Sequence, residues 1–289
     1  MNGILLIDKE QTWTSNDVVS KLKGILHERR VGHSGTLDPM ATGLLEVFVG
    51  RATRAVEFAE GHDKRYIAAL RLGTVTDTQD IWGRVLETRE HRVAERELDS
   101  ALSRFIGRTE QIPPMYSAVR VNGQRLYDIA RRGGEVERRP RPISIERIDV
   151  IGRDGDDFLL DICCSKGTYI RTLCSDVGAA LGCGGCMSSL RRISVGGYSV
   201  DDALTIAQVQ ALADTGSIGS ALLPVDGMFA GYAECIADAQ AERLLRCGTA
   251  YKTETPDGEY RVYSQSGEFL MLGRAKCGEM QTIKSFFEV

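Results

Sequence analysis

Asp38 stands as a single carboxylate in Gly32-His33-Ser34-Gly35-Thr36-Leu37-Asp38-Pro39-Met40-Ala41-Thr42-Gly43-Leu44-Leu45, a stretch of small and polar residues set into an otherwise apolar region. A carboxylate on a preorganised loop can act as a nucleophile or stabilise a developing cation, the two uses that glycosidases make of it. Glycoside hydrolysis also needs a paired acid, and this loop offers one carboxylate only. Gly32, Gly35 and Gly43 permit backbone conformations closed to other residues, while Leu37, Leu44 and Leu45 can anchor the loop to a core. Helix capping is the competing reading, because Asp followed by Pro is a common helix start, and spacing leaves both open. Arg171 is a second candidate, a side chain that could pair with a carboxylate. It closes Lys166-Gly167-Thr168-Tyr169-Ile170-Arg171, where a strand turns into a helix and the flanking elements can hold side chains toward a cleft.

These groups need elements to hold them. Residues 3–8 are a short apolar run, suited to a buried strand that delivers Lys9 to its end. Thr14-Ser15-Asn16-Asp17 offers helix N-caps, and Val18, Val19, Leu22, Ile25 and Leu26 recur at helical spacing, so an amphipathic helix leads to the Asp38 loop. Residues 64–72 alternate, with Tyr66, Ala68, Leu70 and Leu72 on one face of a half-buried strand; Tyr66 alone reads as a core tyrosine. Asp77 and Asp80 read by themselves as solvated loop carboxylates. Leu98, Ala101, Leu102, Phe105 and Ile106 mark a helix stopped by Gly107, and Asn122-Gly123 is a hairpin signal before a short helix carrying Leu126, Ile129 and Ala130. Phe158, Leu160, Ile162 and Cys164 alternate along a strand ahead of a helix with Ile170, Leu173, Cys174, Val177 and Leu181. Past Leu223-Pro224-Val225-Asp226 a smaller unit begins. Asp238 caps a helix there, and 260–263, 268–272 and 280–284 read as short strands.

With 289 residues, 43% of them hydrophobic, the chain can bury a sizeable core, as one large domain with an appendage or as two domains. The formal charge of −4 argues against a nucleic-acid partner, but the charge is uneven. Residues 120–147 carry eight Arg against four acids, a net +4 in which Tyr127 is interspersed, and such a patch can grip RNA on an acidic protein. No signal-peptide pattern occurs and no apolar run approaches the ~20 residues that span a bilayer, so the expectation is a cytoplasmic protein with no membrane contact. The eight cysteines lack the spacing of a disulfide scaffold and read as reduced thiols. Cys183-Gly-Gly-Cys186 has zinc-ligand spacing, but no second such pair exists and His27, His33, His62 and His91 are not paired, so no metal is expected.

The Asp38 stretch resembles the catalytic loop of the TruB family of tRNA pseudouridine synthases, Gly-His-Ser/Thr-Gly-small-Leu-Asp-Pro-x-Ala-Thr-Gly-Leu/Met-Leu. Further segments of that family recur in order: Ile7-Asp8-Lys9, with Glu10 in place of the usual Pro; Lys64-Arg65-Tyr66; the Thr-Asp-Thr-x-Asp pattern ending at Asp80; Ile112-Pro-Pro-Met-Tyr-Ser-Ala118; Lys166 to Arg171, matched at every position; and Leu190-Arg191-Arg192. The resemblance is strong over residues 3 to about 226 and loose beyond. It implies a mixed α/β (α+β) fold, with a largely antiparallel pseudouridine synthase sheet in residues 1–226, a thumb insertion at about 109–147, and a small PUA-like RNA-binding domain in 227–289. The implied activity is isomerisation of uridine to pseudouridine at position 55 in the T-loop of tRNA, with no cofactor. Asp38 would be the nucleophile, Arg171 its partner and Tyr66 the face that stacks on a flipped base; His33, Tyr169, Leu190 and Lys9 would complete the substrate site. Whether Asp38 attacks C1′, adds to uracil C6 or removes the C2′ proton stays open. The T-arm of tRNA would be the partner of a monomer that needs no other protein. The alternatives are a non-catalytic RNA-binding or tRNA-folding protein, and a synthase acting on another RNA.

Overall fold

The computed structural model describes residues 1–121 and 123–288. Asn122, half of the hairpin signal, lies outside the described residues; the strands on either side of it, Arg120–Val121 and Gln124–Arg125, do pair. The apolar and alternating runs gather into one nine-stranded sheet. Its path runs through Gly3–Lys9, Thr42–Val49, Gly185–Val195, Lys64–Leu72, Asp157–Cys164, Arg141–Asp154 and Gly107–Gln111, with Val31–Ser34 paired to Thr42–Val49 and Tyr198–Ser199 to Gly185–Val195. Every pairing in it is antiparallel except one. The exception joins two halves of the sheet through Arg191 opposite Thr42 and Arg192 opposite Gly43. That junction requires a glycine. Gly43 has φ +99°, and a Cβ there would lie 2.3 Å from the Arg192 carbonyl oxygen and 2.8 Å from its nitrogen. The Asp38 loop runs directly into this joint.

Burial explains why the first strands read as unbroken apolar runs while the later ones alternate. Leu5, Ile7, Leu45 and Val47 meet the helix Ser15–Leu26 through Val18, Val19, Leu22 and Ile25, whereas Ile4, Leu6, Leu44 and Phe48 face Val225, Phe229, Leu272 and Phe286 from the C-terminal part of the chain. With both faces covered, no polar face survives in those strands. In the other half Tyr66, Ala68, Leu70, Phe158, Leu160 and Ile162 pack on the helix Ile170–Ala180. The opposite face is held by charge, with Arg65 bonded twice to Asp161 (2.9 and 2.7 Å) and Arg71 twice to Asp157 (2.7 and 3.0 Å). Thr14 caps the first helix reciprocally with Asp17, an arrangement typically worth about 1 kcal/mol.

The insertion expected at about 109–147 is shorter. Gly107–Gln111 and Arg141–Asp154 belong to the sheet, with Gln111 opposite Arg141, so only 112–140 stands off it, as a two-stranded hairpin and the helix Leu126–Arg131. The last part of the chain forms a five-stranded sheet in the order Ala233–Ala237, Gly258–Ser264, Phe269–Lys276, Glu279–Ser285, Tyr251–Lys252, with the Asp238-capped helix Ala239–Arg246. Its first strand has no sequence signal, because its inward face is only Cys235 and Ala237 while the large apolar residue, Ile236, is 69% exposed on the other. Among the described residues no helix is long and apolar enough to cross a membrane.

Candidate active site

Asp38 does not cap a helix. Its carbonyl accepts from Ala41 N at 3.0 Å, closing a turn over Pro39 and Met40 from which the chain enters the strand Thr42–Val49. The turn is held from below. Leu37 N donates to Ser15 Oγ (2.9 Å) and Pro39 O accepts from Thr12 N (2.8 Å), while Leu37 and Met40 are buried. Gly35, at φ +61°, lets the loop pass over the Arg192 guanidinium, which a Cβ would approach to 3.3 Å. Gly32 lies in the strand Val31–Ser34 without a positive φ, and a Cβ there would meet Thr53 and Val56 only at ordinary contact (3.9 and 4.0 Å), so the freedom its type suggested goes unused.

The Asp38 side chain is 38% exposed to a cleft of about 630 Å³, and Arg171 stands behind it with 5% exposure. Arg171 Nε meets Asp38 Oδ2 at 2.9 Å and Nη2 donates to Asp38 Oδ1 at 3.3 Å, a two-point contact that fixes the plane of the carboxylate. The other guanidinium donors reach the Thr78 carbonyl (3.1 Å), the Tyr116 carbonyl (2.7 Å) and Asp80 Oδ2 (3.6 Å). Arg171 thus ties together the Asp38 loop, the Thr78–Asp80 turn and the base of the thumb. Tyr66, Tyr169, Leu190 and His33 line the same cleft. Tyr169 sits at the N-cap of the helix that carries Arg171, and the buried amide of Gln111 clamps its backbone with bonds of 2.8 and 3.0 Å. Burial raises the Tyr66 phenol pKa above its ordinary value, so the ring is a neutral flat face. His33 is held below the ordinary histidine value by burial first and by the charge of Arg192 second, and is neutral at pH 7.

Lys9 corrects an expectation. It is fully buried beneath the loop and does not line the cleft; its ammonium donates to the carbonyls of Trp13 (2.7 Å), Glu10 (2.9 Å) and Pro39 (3.5 Å). It positions the loop and is out of reach of a substrate. Desolvation lowers its pKa to about 8, with the Asp38 charge opposing. A lysine depressed in the folded state binds fewer protons than the unfolded chain between about pH 8 and 10.5, so raising the pH through that window favours folding. Urea unfolding of the wild type should therefore gain up to about 3 kcal/mol relative to Lys9→Met across it, with no such divergence below pH 7. Parallel pH curves for the two proteins would refute a buried, titrating Lys9.

Two further groups escaped the sequence reading. Asp80 lies in the cleft rather than in solvent: Thr78 Oγ1 (2.9 Å) and Trp82 N (3.0 Å) donate to Oδ1, and Oδ2 faces Arg171. Desolvation raises its pKa, opposed by the Thr78 bond and Arg171. Arg192, 1% exposed, donates from Nε to Leu44 O at 2.6 Å and lies under Gly35. Its signal was the parity of its strand, which puts it on the same face as Leu190. Asp77 instead accepts from Arg84 N (2.8 Å) in the turn and stays out of the cleft. Among the described residues no group of three or more His, Cys, Asp or Glu is placed to hold a metal; Cys183 and Cys186 are buried free thiols, and burial pushes the latter up to about 11.

Comparison with known proteins agrees with this geometry. Residues 23–170 match the N-terminal domain of the TruB family pseudouridylate synthases, and residues 171–230 match the tRNA pseudouridylate synthase B C-terminal domain. The tRNA pseudouridine synthase B of Clostridium kluyveri is 39% identical over 99% of this chain and 100% of its own length. That of Alkaliphilus oremlandii is 46% identical over 78% of this chain and 75% of its own. A solved H/ACA RNP bound to a substrate RNA containing 2′-deoxyuridine includes a chain of the same fold, with a TM-score of 0.73 at 22% identity, covering 99% of this chain and 85% of that one. Sequence match and site geometry agree: the chain belongs to the TruB family of pseudouridylate synthases.

Proposed function

We propose that this protein isomerises uridine to pseudouridine at position 55 in the T-loop of tRNA, acting as a monomer without cofactor or partner protein. The observation that carries the reading is the pairing of a partly open Asp38 carboxylate with a sunken Arg171 that grips it at two points. The reaction breaks the C1′–N1 bond, turns the freed uracil and forms a C1′–C5 bond; C5 gives up its hydrogen as a proton and N1 takes one up, so the product is an isomer. Attack at C1′, addition at C6 and removal of the C2′ proton each require one carboxylate held against the nucleoside. Asp38 fills that role, as carboxylates do at the oxocarbenium-like centre of glycosidases. A uridine stacked inside folded RNA cannot reach the floor of this cleft, so it must be extruded. Tyr66 then stacks on the uracil, Tyr169 and Leu190 enclose it, and neutral His33 stands at the entrance for a displaced base. We assign residues 1–226 to catalysis and 227–289 to a PUA-like RNA-binding appendage; the family's own division falls instead after residue 170.

The purified chain, incubated alone with an unmodified tRNA transcript, should convert the T-loop uridine and leave the other uridines unchanged. Pseudouridine at another position would move the substrate assignment, and release of free uracil would favour a hydrolase in which Asp80 is the second acid. Bound tRNA with no product would leave an RNA-binding protein.

Tyr127 and Arg131 of the thumb also line the cleft, with the Arg131 guanidinium 5.5 Å from the Tyr127 ring centroid. Arg138 instead supports the thumb itself, donating to Pro113 O at 3.2 Å and pairing with Glu135. Neutralising the exposed Arg131, Arg132 and Arg139 together, with Arg138 kept, should weaken tRNA binding and lower the slope of log K against log salt by about 1 for each phosphate no longer neutralised. An unchanged slope would make the segment a solvated surface.

A further inference from the structure

Nine large apolar side chains are exposed among the described residues, and Trp82, 53% exposed, is the one of them that lines the cleft. Its backbone is fixed from several sides. Trp82 N donates to Asp80 Oδ1 (3.0 Å), Gly83 N to Asp80 O (3.1 Å), and Ile81 N to Met187 O (2.9 Å) in the central sheet. The turn closes through Arg84 N to Asp77 Oδ1 (2.8 Å), and a Cβ on Gly83 would strike Thr78 Oγ1 at 2.2 Å, so nothing larger than glycine fits beside the indole. The carboxylate that holds the Trp82 backbone is also the one facing Arg171, so the point from which the ring projects is placed relative to Asp38 through two short links.

A rigid backbone that presents a half-exposed indole at the rim of an RNA site is a stacking platform, because every nucleobase has a π face and the ring needs little ordering on binding. Tyr66 at 7% exposure already provides the enclosed face for the reacting uracil, while Trp82 is too open to enclose a base. We propose that Trp82 stacks on an unpaired nucleobase next to the target uridine and thereby sets the position of the RNA strand at the cleft mouth. This rests on the pseudouridine synthase reading of the same cleft. Trp82 is a binding and positioning residue; no step of the chemistry passes through it.

The chain holds two tryptophans, Trp13 and Trp82, so fluorescence reports the contact directly. In full-length Asp38→Asn, which should turn over too slowly to matter during binding, an unmodified tRNA transcript should quench the emission, and adding Trp82→Phe should abolish the quench while affinity stays within about threefold, since phenyl still stacks. In the otherwise wild-type chain Trp82→Ala should raise KM and Kd on the order of tenfold with kcat at saturating tRNA nearly unchanged. Equal Kd and KM for wild type and Trp82→Ala, or a quench that persists in Trp82→Phe, would overturn the proposal. The binding and quenching arms need no catalysis: an inactive wild type that still shows the Trp82-dependent quench would refute the synthase reading and keep the stacking contact. A fully active wild type matched by Trp82→Ala would do the reverse.

Discussion

Asp38→Asn should bind tRNA about as well as the wild type and form pseudouridine slower by on the order of 10⁴-fold or more, the scale of loss when a nucleophilic group is removed and the rest of a site is kept. Asn preserves the volume of the side chain, and the turn beneath it is built from backbone bonds that do not use the carboxylate: Ala41 N to Asp38 O, Thr12 N to Pro39 O, and the Ser15 clamp on Leu37. Folding should change little. The Arg171 guanidinium keeps Asp80, Thr78 O and Tyr116 O as partners, so no cation is left buried and unpaired. What is lost is one negative charge and the basic oxygen pair facing the cleft. Forming the C1′–C5 bond expels the C5 hydrogen, so tritium released from [5-³H]uridine in the transcript counts turnovers, and filter binding of the same RNA reads affinity. A mutant that releases tritium at the wild-type rate would remove Asp38 from the mechanism. One that fails to bind would show that the carboxylate recognises RNA rather than reacts with it.

How much of this was legible beforehand depends on whether a residue's partners lie near it in sequence. The helix start at Thr14 and Asp17 and the alternating face of Tyr66, Ala68, Leu70 and Leu72 follow local rules, and the structure has them as read. Asp38 was ambiguous for a physical reason: Asp-Pro begins helices and turns equally well, and only the strand that starts at Thr42 decides for the turn. Lys9 was assigned to the substrate site by the resemblance, and its position at the end of a strand carries no local sign of what covers it. What buries it is the return of the Pro39 turn across its ammonium, a contact 30 residues away. Asp80 read as solvated because loop carboxylates usually are, and its burial comes from the Asp80–Met187 bridge to a distant strand. The one parallel strand pairing of the nine-stranded sheet, at Gly43, has no local signature, since a strand reads the same whichever partner it takes. The clash of a Cβ with the Arg192 backbone appears only once that partner is in place.

The second large effect is expected at Arg171, where even lysine should fail. The guanidinium is buried and presents donors in a plane: Nε and Nη2 to the two oxygens of Asp38, Nη2 again to Tyr116 O, and Nη1 to Thr78 O and toward Asp80. Lysine keeps the charge but brings three donors from one point, on a stem that cannot reach three separate walls of the cleft at once. In Arg171→Lys at least one of the Thr78 and Tyr116 carbonyls loses its donor, and Asp38 is held by at most one bond, free to rotate about it. A reacting group turned out of alignment by about 1 Å costs on the order of 10²-fold in rate, so kcat should fall by roughly 10²- to 10³-fold in Arg171→Lys. Arg171→Ala should lose more and also stability, because it leaves the buried Asp80 without the cation it faces, a change on the order of 3–5 kcal/mol where both members of a pair are buried, while Asp38, open to the cleft, can be solvated. Single-turnover rates at saturating tRNA, set beside urea unfolding of the same proteins, separate the two effects. The lysine variant should be folded, RNA-bound and slow. If it instead works at the wild-type rate, charge alone is enough to hold Asp38 and the two-point geometry is not what the reaction uses.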